Sequence, residues 1–97
     1  MITINVARQA DYVQFILTGH ANFAEKGKDI VCAAVSILSA MLENVAAEHG
    51  GGVQDTGEML HIHMPLNHDR EIEYDLVMRG YELIAAEYPD YVKINYL

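Results

Sequence analysis

Residues 29–52 read DIVCAAVSILSAMLENVAAEHGGG, and this stretch decides the fold. Aspartate is a favoured helix N-cap and a run of glycines is a strong helix stop, so the spacing predicts one long helix from Asp29 to about His49. Ile30, Val31, Val35, Ile37, Leu38, Met41 and Leu42 surround much of its first half. That distribution predicts a largely buried central helix, packed against a sheet and a further element. The polar exceptions are ordered. At about 100° per residue, Asp29, Cys32, Ser36, Ser39 and Glu43 fall within a sector of roughly 80°. A narrow polar stripe with a thiol near its N-terminal end therefore runs along an otherwise apolar helix.

Working outward, Ile2, Ile4 and Val6 alternate with Thr3, Asn5 and Ala7, and Val13, Phe15 and Leu17 alternate with Gln14, Ile16 and Thr18. Both runs have the period of a half-buried strand, and the short polar break between them predicts an antiparallel hairpin. Residues 21–28, ANFAEKGK, show no sustained period and are expected to form a flexible active-site loop. After the glycines, VQDTGEMLHIHMPL predicts one strand, or a hairpin about the DTG break, with Leu60, Ile62 and Met64 on one face and His61 and His63 on the other. NHDREIEYDLVMRGYELIAAEYP predicts a second helix, capped by Asp69 and closed before Pro89. Its apolar stripe is Tyr74, Val77, Met78, Tyr81, Ile84, Ala85 and Tyr88, and Gly80 within it suggests a close approach by other backbone, or only a tolerated cost of about 1 kcal/mol. YVKINYL supplies a last strand. The order β-β-α-β-α-β predicts an α+β fold, a mixed sheet packed with two helices, in a single domain over residues 1–97.

The bulk numbers exclude several functions. Fourteen acidic residues against six Lys and Arg give a formal charge of −8 in a chain of 97 residues. Phosphate binding needs a basic surface, so nucleic acid is not expected as a direct partner. An acidic chain steers basic partners over long range, although the same charge also simply keeps a small domain soluble. The single cysteine excludes an internal disulfide, a CxxC pair and a Cys-rich zinc site, and a lone thiol fits a reducing cytoplasm. The N-terminus lacks the basic and apolar regions of a signal peptide, and no uninterrupted apolar run reaches the roughly 18–20 residues of a membrane span. His61 and His63, even with His68, are a solvated strand face before they are a metal site. No metal or cofactor is expected.

Cys32 falls in the first turn of the long helix, where unpaired N–H groups and the helix dipole favour a thiolate. His20, at the end of the second strand, is the candidate base, able to take the thiol proton and return it to a leaving amine. The N–H groups of Cys32 and Ala33 are candidate oxyanion donors. Asp29 either caps the helix or orients His20. Ser36, one turn after Cys32, either bonds the His, the Asp or substrate, or bonds back to a helix carbonyl. Free cysteines are also among the most often buried residues, so from the residues alone an inert packing role for Cys32 stands beside the nucleophilic one.

Gly19-His20-Ala21, Gly27 and DIVCAAVS over residues 29–36 resemble the ribosomal-processing cysteine protease family called Prp, found in Firmicutes and related bacteria. The resemblance implies a cysteine endopeptidase that removes an N-terminal extension from a large-subunit ribosomal protein, the twenty-seventh. It places the nucleophile on Cys32 and the base on His20, gives Gly19, Asp29 and Ser36 supporting roles, and implies a homodimer. Family substrates carry a hydrophobic, Phe-containing stretch before the cut, and Phe23 is the candidate wall for it. The alternatives are a non-enzymatic, ribosome-associated protein that binds a basic ribosomal protein without cutting it, and a structural dimer with a buried thiol.

Overall fold

The computed structural model describes residues 1–25 and 29–97. Its elements are β1 (Ile2–Arg8), β2 (Tyr12–Thr18), α1 (Ile30–Glu48), β3 (Gly52–Asp55), β4 (Met59–Pro65), α2 (His68–Glu87) and β5 (Val92–Tyr96). The sheet order is β3-β4-β2-β1-β5. β1 is antiparallel to β2 and parallel to β5, and β4 is antiparallel to both β2 and β3. It follows that β2 and β3 run parallel across β4, joined by α1, and that β4 and β5 run parallel across two strands, joined by α2. This is the expected α+β arrangement of a mixed sheet and two helices.

The stretch after the glycines forms the hairpin, so the order is β-β-α-β-β-α-β rather than one strand shorter. Its turn is held by the Asp55 carboxylate accepting the Gly57 N–H at 2.8 Å and by Thr56 Oγ1 accepting the Met59 N–H at 3.1 Å. All four residues of β3 are exposed, and the strand carries no apolar alternation by which to be read.

The core forms where one face of the sheet meets the helices. Ile4, Val13, Phe15, Ile62 and Met64 are wholly buried, under Val31, Val35, Leu42 and Ala46 of α1 and Tyr74, Val77, Met78 and Tyr81 of α2. Burial of apolar area on this scale, at about 25 cal/mol per Å², is the main driving force for the fold. α1 differs from expectation in the extent of its burial. Val31, Val35, Ser39, Leu42 and Ala46 form its one buried face, while Ile30, Ile37 and Met41 are exposed. The helices are the outer layer, so the sheet can cover only one side of each. By length and composition α1 does pass as a possible membrane span, contrary to the expectation of no such segment; here it packs on the sheet and carries its polar stripe along one flank.

Two details of α2 correct the sequence reading. Its N-cap is Asn67, whose side chain accepts the Arg70 N–H at 2.9 Å, and not Asp69, which lies in the first turn. At Gly80 the neighbour is a side chain and not backbone: a Cβ there would stand 2.8 Å from the Leu38 methyls, so the glycine lets α1 and α2 approach.

Candidate active site

The site begins where β2 ends. Gly19 has φ +83°, and a Cβ on it would lie 2.1 Å from the Met1 carbonyl oxygen, so only glycine fits. The turn swings His20 out to an exposed position, while Ala21 is buried as an anchor. Asn22 follows with φ +54°, a left-handed conformation that asparagine tolerates. Phe23 packs edge-on against Tyr88 and Tyr91, with ring centroids 5.4 and 5.1 Å away. The expected flexible loop extends over residues 26–28, which lie outside the described residues.

Asp29 closes this segment onto the helix. Its Oδ1 accepts the Cys32 N–H at 2.9 Å, and its Oδ2 accepts the Phe23 N–H at 3.1 Å. The Cys32 N–H is the largest cause holding the Asp29 carboxyl below its ordinary value. The Phe23 N–H, the Cys32 thiol and the Ala24 N–H add to it, and desolvation opposes them. Of the two roles open to Asp29, the structure displays the cap: its carboxylate accepts the Cys32 and Phe23 backbone N–H groups, and among the described residues it has no hydrogen bond with His20. The expected oxyanion donors are corrected by the same bonds. The Cys32 N–H is committed to Asp29 Oδ1, and the Ala33 N–H to the Asp29 carbonyl at 3.1 Å, so neither is left for a substrate oxygen.

Two clefts meet at the residues His20, Cys32 and Ser36, which line both. The first, of about 280 Å³, runs along the polar stripe of α1. Leu17, Val35 and Leu60 supply apolar lining, and Thr18, Ser39, Glu43, Asp55 and Glu58 are among its polar members. The second, of about 580 Å³, is lined additionally by Asn22, Ala24, Asp29 and Ala33. Cys32 is partly exposed. Ser36 is exposed and its hydroxyl makes no hydrogen bond among the described residues; the back-bond considered for it is made by Ser39, whose Oγ donates to the Val35 carbonyl at 2.7 Å. Phe23 lines neither cleft, its ring being turned towards Tyr88 and Tyr91.

The two histidines of β4 have partners on β2. His61 Nε2 lies 2.8 Å from Gln14 Oε1, and His63 packs against the Tyr12 ring at 5.2 Å between centroids. Among the described residues no group of three or more His, Cys, Asp or Glu side chains is placed to hold a metal ion. The sequence reading missed the hairpin turn as a cleft wall, and it missed Tyr81, whose hydroxyl lies 2.8 Å from Ser39 Oγ beneath the first cleft. Ser39 was visible on the stripe; nothing in the sequence paired it with Tyr81.

A family model described as "Cysteine protease Prp" matches residues 1–93. Ribosomal processing cysteine protease Prp of Mycoplasma genitalium is 56% identical over 36 residues, 37% of this chain and 32% of that protein. The protein of the same name from Bacillus subtilis is 48% identical over 40 residues, 39% of this chain and 36% of that protein. The matched segments thus span about a third of the curated relatives. Among solved structures, the ribosomal processing protease Prp of S. aureus, in complex with a covalently linked product peptide, superimposes with a TM-score of 0.80 at 24% identity, over 100% of both chains. At that identity it speaks for the fold.

Proposed function

The chain belongs to the Prp family of cysteine proteases, and from that footing we propose that it is a cysteine endopeptidase in which Cys32 is the nucleophile and His20 the general base. The observation that supports this reading is that His20 and Cys32 line both clefts. The thiolate of Cys32 attacks the scissile carbonyl carbon, and His20 holds the thiol proton. Collapse of the tetrahedral intermediate breaks the C–N bond, His20 protonates the departing amine, and an acyl thioester remains on Sγ. Water, deprotonated by His20, then attacks the thioester and releases the carboxylate product and the thiol. Asp29 acts as a positioning residue, fixing the first turn of α1 and the segment at Phe23 together. Ser36, at the junction, offers a hydroxyl to the substrate.

The substrate in this reading is a large-subunit ribosomal protein, the twenty-seventh, bearing an N-terminal extension. A strongly basic protein suits a chain of charge −8. The chain works in the cytoplasm as a homodimer, without direct contact to nucleic acid or membrane. The supporting roles of Gly19 and Asp29 are in the local backbone, and Phe23 acts at a distance from the clefts unless a substrate draws its ring across.

The test is incubation of the extended ribosomal protein with the wild type and with Cys32→Ala, followed by intact mass measurement. A single shortened product from the wild type and none from Cys32→Ala is the expected result. Equal processing by the two proteins would refute the assignment of the nucleophile. Tight binding without cleavage by the wild type would favour a binding protein instead.

A further inference from the structure

Resting on the protease reading above, we infer that the turn at residues 88–91, after α2, holds the segment that carries His20, with Tyr88 and Tyr91 as positioning residues acting through Phe23. Three observations carry the inference together.

The first is the downstream end of the segment. The Phe23 ring meets Tyr88 at 5.4 Å and Tyr91 at 5.1 Å between centroids, with interplanar angles of 78° and 81°. Both contacts are edge-to-face, an arrangement that depends on ring orientation as well as on burial. The Phe23 N–H goes to Asp29 Oδ2 at 3.1 Å, and Asp29 Oδ1 accepts the Cys32 N–H at 2.9 Å. Phe23 thus joins the tyrosine pair to the cap of the helix that carries Cys32, and it stands three positions after His20.

The second is the upstream end. The Tyr91 carbonyl accepts the Ile2 N–H at 2.8 Å and so fixes the start of β1. The Met1 carbonyl just before it abuts Gly19, where a Cβ would stand 2.1 Å from its oxygen. The same turn therefore bounds the segment on both sides of His20, through backbone before it and through rings after it. His20 is exposed, so its direction depends on the backbone that carries it.

The third is the firmness of the turn. Tyr88 caps α2 with its N–H on the Ile84 carbonyl at 2.8 Å, and its own carbonyl accepts the N–H groups of Tyr91 at 3.0 Å and Val92 at 3.1 Å. Pro89 between them has its φ fixed by its ring. Both tyrosines are half-buried and pack on the core, whereas Phe23 is 38% exposed. Among the described residues the tyrosine hydroxyls that hydrogen-bond are those of Tyr81 and Tyr96, so Tyr88 and Tyr91 hold Phe23 by their rings.

The experiment measures kcat and KM on the extended ribosomal protein, together with amide hydrogen exchange over residues 19–25. The proteins are the wild type, Tyr88→Leu/Tyr91→Leu, Phe23→Leu, the triple variant and Tyr88→Phe/Tyr91→Phe. The leucine pair should lower kcat about ten-fold with KM within about two-fold, because a misplaced base costs rate and not ground-state binding. Exchange over residues 19–25 should quicken about ten-fold as that segment opens more often. Phe23→Leu leaves the core intact and should do the same. The triple variant should be no worse than either, since all three break one shared contact. The phenylalanine pair keeps the rings and should match the wild type. Unchanged kcat in the leucine pair, additive losses in the triple variant, or exchange as slow as in the wild type overturns the inference. A wild type that cuts nothing sinks the protease reading, and the exchange rates then decide by themselves whether the tyrosines hold the segment.

Discussion

The two helices begin in the same way and end up doing different things. Asp29 accepts the N–H of Cys32, and Asn67 accepts the N–H of Arg70, both at 2.9 Å and both three residues on. In α2 the first turn also carries Asp69 and Glu71, whose charges complement the helix dipole, and Arg70 pairs with Glu73. In α1 the first turn carries no acidic side chain beyond the cap, and the third position is a thiol. The cap itself differs in one atom. A carboxylate has a second acceptor oxygen, which Asp29 uses to take the Phe23 N–H and so bind the preceding segment to the helix. A capped helix N-terminus is therefore structural in itself. The start of α1 is distinguished by what converges on it: a second tether, an exposed histidine after a left-handed glycine, and the junction of two clefts.

The comparison predicts how each start should fail. On the proposed mechanism, His20→Ala removes the base from one of them and should lower kcat by about 10²- to 10⁴-fold, read by cleavage of the proposed substrate, the extended ribosomal protein. Because His20 is exposed, the variant's unfolding free energy should change by less than about 0.5 kcal/mol, read by denaturant unfolding. Asp29→Asn keeps the oxygen that caps Cys32 and loses the one that holds Phe23. It should lower activity about ten-fold through misplacement of the junction, with little change in melting temperature. An unchanged rate would show that the second tether is idle. Asn67→Ala is the mirror experiment: about 1 kcal/mol of stability lost, read by urea unfolding, and kcat unchanged.

The smallest effect at neutral pH belongs to Tyr81. Burial pushes its phenol up to about 12. The folded value lies above the unfolded value of about 10, so the contribution is complete below pH 10 and is lost as pH rises towards 12. Tyr81→Phe should make the stability profile shallower in that window. Tyr74, raised chiefly by desolvation, supplies a residual slope in both proteins.

Much of this was legible in the sequence because it is local. Alternation over residues 2–6 and 13–17 and a cap-to-glycine helix are short-range patterns, and they place β1, β2 and α1. Cys32 and the other stripe residues were legible from helical period alone. What escaped depends on partners distant in the chain. Ser39 and Tyr81 are 42 positions apart, and each taken alone reads as a small polar residue or a core aromatic. β3 carries no apolar alternation because it is an exposed edge. The outer faces of Ile30, Ile37 and Met41 misled because hydrophobicity was read as burial, while the layer order leaves that side uncovered. The oxyanion donors misled for the opposite reason: the cap already uses the amide that the helix start was expected to offer.

The most direct test of the central claim is an acid-quenched single turnover with the extended ribosomal protein, digested and read by mass spectrometry at Cys32. The account predicts a transient thioester on the peptide containing Cys32, rising and decaying with product, and absent in His20→Ala over the same interval. Product formation with no acyl group ever found on Cys32, or formed equally well by Cys32→Ala, would contradict it.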